Sequence, residues 1–471
     1  MTKQSFTDLE TISPIDGRYR SRVQELHEYF TQHALDKQRV KVEVEYLIKL
    51  GGLSDVPIDP PAEELRKIYE GFDLADAKTV QQIEREGYRD IPATNHDVKA
   101  IEYFVRERLQ DRNLAELIPY VHYALTSEDV NNLAYMKLVK GGTGELLGTL
   151  EGLVERLAEL AAENRGQPIL ARTHGQPATP STVGKEFAVF LSRLVSELKK
   201  LENARNGLTG KLAGATGNLS AHADSYPKTD WLAFSREFVR DYGLKPREAV
   251  TQIEPRDNLA DLMDNMTRIN NVLVDLARDC WTYISMDYFT QKQEEGEVGS
   301  STMPQKVNPI DFENGEGNLS KSNSDLNFLG DYLTKSRLQR DLSDSTVRRN
   351  VGTAFAHSLI GYKSVQKGLG KLEPNEARLE ADLEDHPEVL AEAWQTALRK
   401  FGHSDAYEVV KEKTRGKRIE PGDLEEIIDD LPLPENEKAR LKELEPRDYI
   451  GKAARVTENA VSEAKNWLES R

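Results

Sequence analysis

The chemistry of this chain is first visible where serines stand close to a lysine. The stretch Glu297-Val-Gly-Ser-Ser-Thr-Met-Pro-Gln-Lys-Val-Asn-Pro309 follows Gly296 and places Ser300 and Ser301 shortly before Lys306. A serine hydroxyl is a poor base until it ionises, and a nearby ammonium or a set of backbone N–H groups supplies the field that makes ionisation accessible. Its glycines and prolines predict a loop, with Pro309 placed to open the next helix. A plain connector between helices would have the same composition, so the stretch alone leaves both readings open.

A second stretch, Arg172-Thr-His-Gly-Gln-Pro-Ala-Thr-Pro180, sets His174 among Gly175, Pro177 and Pro180 rather than on an apolar helical face. A histidine in such a turn can donate or accept a proton near neutral pH, although a capping role would also explain it. Thr94-Asn-His-Asp-Val-Lys-Ala100 and Thr126-Ser-Glu-Asp-Val-Asn-Asn132 each join a capping residue to acids in a helical first turn. Capping accounts for much of both, and helix N-termini also bind anions. Between Ser336 and Asn350, Arg337, Arg340, Arg348 and Arg349 are mixed with hydroxyl residues, a composition suited to phosphate, carboxylate or an interhelical salt-bridge segment.

Other chemistries lack support. No HExxH, CxxC, GxxxxGK[ST] or strand-linked GxGxxG occurs, so zinc, P-loop and dinucleotide sites are not expected. The single Cys rules out an intrachain disulfide framework and fits a reducing compartment. With 80 acidic against 63 basic residues the net charge is −17, which argues against nucleic acid as a partner. The opening MTKQSFTDLETISPIDGRYR lacks the basic and apolar regions of a secretory signal, and no apolar run nears the roughly 18 residues of a membrane span. A cytoplasmic protein is expected.

Helices must position these stretches. Leu146, Leu150, Leu153, Leu157 and Leu160 step by fours and threes, as do Phe187, Phe190, Leu191, Leu194, Leu198 and Leu201. Leu259, Leu262, Met266, Ile269, Leu273, Leu276, Cys280 and Tyr283 form a seam about 40 Å long at the usual rise. With stretches around 118–140 and 310–368, the latter interrupted near 335–350, this predicts five long helices. Shorter, more charged helices flank them, giving expected domains at 1–115, 116–368 and 369–471. Strand signals are weak; Asn206 to Asn218 is glycine-rich and predicts a hairpin or an ordered loop.

Taken together, these stretches resemble the adenylosuccinate lyase family of the fumarase/aspartase superfamily. GSSTMPQKVNP resembles the superfamily signature loop, while SPIDGRYR, TNHDVKAIEYF, TSEDVNN, RTHGQPATPST, TQIEPRD and SRLQRDLSDSTVRRN resemble the adenylosuccinate branch. The resemblance implies an all-α, three-domain subunit with a long central five-helix bundle, assembled as a D2 homotetramer with a twenty-helix core. It implies β-elimination of fumarate from purine nucleotide substrates, without cofactor or metal, in active sites shared between subunits. Ser300 matches the family's base, His174 its general acid, Glu313 the carboxylate that orients the histidine, and Lys306 a stabiliser of developing charge. Substrate contacts match Arg18, Tyr19, Asn95, His96, Asp97, Thr126, Ser127, Gln252, Ser301, Asn308, Asn314, Arg340, Ser345 and Arg349. One departure, Gln305 in the signature loop, is a residue that argininosuccinate lyases often show. That enzyme is therefore the alternative, alongside a structural descendant that has lost catalysis.

Overall fold

The computed structural model describes residues 9–292, 303, 306–414 and 422–471. Helices α1 (Gln32–Gly51), α2 (Ala62–Glu70), α3 (Leu74–Arg85) and α4 (Asp97–Gln110) come first. The long helices follow: α5 (Ser127–Glu163), α6 (Val183–Gly207), α7 (Asp257–Ser285), α8 (Ile310–Leu333) and α9 (Val351–Lys371). Shorter helices then lead to α10 (Ala453–Glu469). Strands form only small ladders among the described residues. Strands β1 (Pro168–Thr173) and β2 (Gln176–Thr182) are antiparallel, β3 (Thr209–Gly210) and β4 (Lys245–Pro246) parallel, and β5 (Phe289–Gln291) and β6 (Leu372–Pro374) antiparallel. No described helix is long and apolar enough to cross a membrane.

The chain divides into two compact units. The first comprises Met1–Thr149, Glu197–Asn271 and Asn318–Gly361, the second Leu150–Ser196, Val272–Gly317 and Tyr362–Arg471. In the first, Val40, Val44 and Leu47 lie on one face of α1 and pack with Leu65 and Ile68 of α2, Ile83 of α3, and Ile101, Phe104 and Val105 of α4. A capping box closes the start of α3, where Asp73 accepts from the Asp76 N–H and the Asp76 side chain answers. In the second, Leu390, Trp394, Leu398, Val410, Ile428 and Leu441 make one core, and Leu170 of β1 packs on Leu383 and Val389.

The long helices differ from the expected ones in their boundaries. From Ser127 onward the patterns around 118–140 and 146–160 are a single helix, α5, despite the glycines between them, while the residues before Ser127 form a short 3-10 helix, Ala115–Tyr120, and a turn. Those glycines admit aromatic rings instead of ending the helix: a Cβ on Gly141 would sit 2.2 Å from Tyr29 Cε1, and one on Gly142 2.5 Å from Phe30 Cε2. Phe30 is pressed from another side by Gly352 and meets Phe355 with ring centroids 4.9 Å apart. The 310–368 pattern, conversely, breaks into α8 and α9. There the Asp341 carboxylate accepts from the backbone N–H groups of Arg337 (3.0 Å) and Ser343 (2.8 Å), local bonds that compete with helix. Beyond the end of α6 at Gly207, the glycine-rich 206–218 segment is an ordered loop apart from β3, and the hairpin lies instead at β1–β2, which weak strand propensity had concealed.

A buried polar chain runs through the first unit. Tyr46 Oη donates to the Tyr123 carbonyl at 2.9 Å, so the contact of 3.0 Å with His222 Nε2 must be donated by the imidazole. That leaves Nδ1 bare, and it is buried without a partner among the described residues. Burial lowers the pKa of His222 from 6.5 to about 4, with Asp129 only partly opposing.

Two outcomes follow. Gly142→Ala should lower stability by about 1–3 kcal/mol in denaturant unfolding, because Phe30 has no room to retreat. His222 in the unfolded chain protonates first as pH falls, so its contribution is complete above about pH 6.5 and is lost towards about pH 4. Its full size is about 3 kcal/mol, and His222→Gln should flatten that part of the stability–pH curve.

Candidate active site

The first turn of α5 begins with a cap and ends in a buried charge. Thr126 N–H donates to Asp129 Oδ2 at 2.9 Å, and Asp129 N–H donates back to the Thr126 carbonyl at 2.9 Å. Asp129 also accepts from Lys211 Nζ at 2.8 Å and from the backbone of Ala213 and Gly214, fixing the 211–214 segment beneath the helix. Its neighbour Glu128 is 0 % exposed. Its carboxylate accepts from Arg256 (2.8 Å), Arg348 (2.9 Å) and Arg340 (3.1 Å). Burial opposes that charge, but Arg348, Arg256 and Arg340 outweigh it and hold the carboxyl well below its usual range. Asp344 takes Arg256 at 2.6 Å, so three guanidinium groups meet two carboxylates and one positive charge is left over.

Beside this cluster α4 starts with His96 as its cap, whose Nδ1 accepts from the Lys99 N–H at 3.2 Å. The other ring nitrogen lies 3.5 Å from Ser127 Oγ, which joins the starts of α4 and α5. Asp97 is bound by Arg39 at 2.7 Å and faces Arg349 at 3.6 Å. Burial again works against ionisation, and Arg39 reverses it, holding the Asp97 pKa down. Three stretches far apart in sequence are thus gathered: Asn95 (φ 50°) with His96 and Asp97, Thr126 with Ser127, and Arg340 with Ser345 and Arg349. His96 and Arg349 remain exposed there, so two donors and two helix N-termini are open to an anion. Gln252 is engaged with the Ala215 carbonyl at 2.9 Å, Arg18 is exposed, and the Arg22 guanidinium lies 5.9 Å above the Tyr19 ring.

In the second unit, His174 and Gly175 form the two-residue tip of the β1–β2 hairpin, with φ of 53° and 73°. Left-handed conformation at both positions suits a tight hairpin of this length, and histidine tolerates it better than most side chains. The hairpin is tied down by Arg172, which pairs with Asp382 at 2.6 Å; Tyr288 donates to the same carboxylate. His174 itself is exposed. Glu313, in the first turn of α8, accepts from Trp281 Nε1 at 3.2 Å, and Asn314 Oδ1 accepts from Ser364 Oγ at 3.3 Å. Lys306 is exposed and Asn308 half-buried just ahead of α8. Ser300, Ser301 and Gln305 lie outside the described residues.

Residues 17–321 match the family model described as Lyase, and 336–450 the one described as Adenylosuccinate lyase C-terminal. The adenylosuccinate lyase of Dictyostelium discoideum is 47% identical, over 96% of this chain and 98% of its own. Those of Haemophilus influenzae and Escherichia coli K12 are each 44% identical, over 96% and 95% of this chain and 98% of theirs. The chain belongs to the adenylosuccinate lyase family. It is accordingly a lyase of carbon–nitrogen bonds. Its fold is shared with the 3-carboxy-cis,cis-muconate lactonizing enzyme of Pseudomonas putida, at TM-score 0.74 and 21% identity over 94% of this chain and 97% of that one. It is also shared with a fumarate lyase of Mesorhizobium, at TM-score 0.73 and 20% identity over 93% of this chain and 97% of that one.

Within this family member, sequence reading singled out Arg340 and Arg349 but not their supports. Glu128 read as one more acid in a capped first turn, Arg348 as one of four arginines suited to an anion or to an interhelical salt bridge, and Arg39 and Arg256 were not singled out. A signal was present in the Arg-rich 336–350 stretch, since guanidinium groups so close together need carboxylates from elsewhere. Glu128→Gln should cost about 3–5 kcal/mol in urea unfolding, because Arg256 and Arg348 would remain buried with too little compensation. Arg349→Gln should leave stability within about 0.5 kcal/mol, as its side chain is 54% exposed.

Proposed function

We propose that this chain cleaves adenylosuccinate into AMP and fumarate, and treats succinylaminoimidazole carboxamide ribotide in the same way. The observation that carries this is the near full-length identity to adenylosuccinate lyases, joined to the gathering of His96, Ser127 and Arg349 in one unit. The argininosuccinate alternative suggested by Gln305 is not favoured by these relatives.

In the proposed reaction the alkoxide of Ser300 takes a proton from the succinyl β-carbon. The electron pair enters the adjacent carboxylate, whose added charge Lys306 and Asn308 stabilise. Its return forms the C=C bond of fumarate and breaks the C–N bond, while His174 delivers a proton to the departing nitrogen. One proton is taken and one is given, so solvent need only carry a proton from serine back to histidine between turnovers. Glu313 orients the histidine. Arg18, Tyr19, Arg340, Ser345, Arg349 and His96 hold phosphate and carboxylate groups, with Asn95, Asp97, Thr126, Ser127, Gln252, Ser301 and Asn314 completing the substrate contacts. We assign the chain to a cytoplasmic D2 homotetramer of three-domain subunits, divided at 1–115, 116–368 and 369–471, with segments of three subunits in each site.

Purified protein should release fumarate from both substrates. His174→Ala and Ser300→Ala should each lower kcat by about 10²–10⁴ without changing the mass measured by light scattering. Near wild-type turnover by either variant would remove it from the acid–base pair, and fumarate from neither substrate would overturn the reading.

A further inference from the structure

The first unit holds a cavity of about 430 Å³ whose charges are not balanced. Lys41 and Lys49 of α1, Arg66 of α2 and Lys137 of α5 line it, facing two carboxylates, Glu45 and Asp241. Both carboxylates are already engaged. Glu45 accepts from Arg66 at 2.9 Å and from Tyr69 at 2.7 Å, and Asp241 accepts from Lys49 at 2.8 Å. Lys41 and Lys137 are left with no carboxylate at ion-pair distance among the described residues. The Lys41 ammonium sits 5.2 Å from the centroid of the Tyr69 ring, and Lys137 donates only to the Tyr242 carbonyl at 3.3 Å. Burial and then the charge of Lys41 push the Lys137 pKa down, as expected of two ammonium groups sharing one space.

Tyr242 also lines the cavity, but its hydroxyl is sealed from it, buried with no hydrogen-bond partner among the described residues. The cavity's unbalanced donors are therefore the two lysines, whose mutual repulsion an anion would relieve. The surplus continues beyond the cavity: Lys137 also borders a neighbouring space of about 870 Å³ with Lys140 and Arg205. There Lys140 donates to the Gly243 carbonyl at 2.6 Å and Arg205 to the Lys140 carbonyl at 2.8 Å, while Glu28 is the carboxylate on its lining.

We propose that this cavity binds a small phosphate-type oxyanion, with the Lys41 and Lys137 ammonium groups as its donors. A tetrahedral dianion would neutralise the lysine pair, and a space of about 430 Å³ leaves room for a sugar attached to the phosphate. The site is separate from the candidate active site, since Lys137 lies roughly 15 Å along α5 from Ser127. Because the ligand would join Lys41 of α1 to Lys137 of α5, binding should raise the stability of the folded chain.

The test is thermal unfolding of the full-length protein, with inorganic phosphate titrated against chloride at matched ionic strength. Tm should rise saturably with phosphate and not with chloride. In Lys137→Met, and separately in Lys41→Met, the half-saturating phosphate concentration should increase tenfold or more, while unfolding without phosphate occurs at or above the wild-type Tm. Tyr242→Phe should leave the half-saturating concentration unchanged, since that hydroxyl does not open onto the cavity. Ribose 5-phosphate distinguishes the two sources, acting at lower concentration than inorganic phosphate if the ligand is a phosphomonoester and no lower if it is the free ion. No rise above the chloride control, or an unchanged midpoint in both lysine variants, would overturn the proposal. So would a midpoint displaced by Arg349→Gln instead, which would place the phosphate in the candidate active site.

Discussion

One carboxylate, Glu128, determines where the arginines of the first unit can be. It has no access to water and accepts from Arg256 and, more than eighty positions further on, from Arg340 and Arg348 of one stretch. A carboxylate in that position is unstable alone, and so is each buried guanidinium; only the assembled group is tolerable in a low-dielectric interior. The start of α5, the start of α7 and the connection between α8 and α9 are thereby held to one another. The position of Ser127 and the exposure of Arg349 depend on this arrangement, since each adjoins a residue of the cluster.

The sign of the whole chain and the sign of its pockets are opposed. A net charge of −17 keeps the exterior acidic, yet Arg340 and Arg349 gather near two helix starts, and Lys41 and Lys137 share a cavity. Field strength at a site depends on neighbours within a few ångströms and on the exclusion of water, not on the sum over the surface. An acidic protein can therefore present strongly cationic recesses, with the acidic surplus reducing non-specific attraction of other polyanions.

The helical class and the long apolar seams were legible because periodicity is a local property. Leu146 to Leu160 and Leu259 to Tyr283 are helical as their spacing demands. Boundaries were less legible wherever a residue had two uses. Gly141 and Gly142 look like breakers in sequence, but their function is set by Tyr29 and Phe30, over a hundred positions away. The site motifs were legible as short polar strings, and their resemblance to a family named the chemistry. What stayed hidden was long-range compensation: nothing near Glu128 in sequence announces three arginine partners, and nothing near Tyr242 announces an unsatisfied hydroxyl.

The hairpin carrying His174 has a consequence for how that residue could work. Its place is set by backbone handedness at two consecutive positions and by the Arg172–Asp382–Tyr288 anchor, while its ring makes no hydrogen bond to another described residue. Within the described residues the main chain therefore fixes where the imidazole begins, and orienting the ring itself falls to another group, the role proposed for Glu313. Anchor and orienting group are then separable: a change at Arg172 or Asp382 would displace the whole hairpin tip, whereas a change at the orienting partner would turn the ring and leave the hairpin in place.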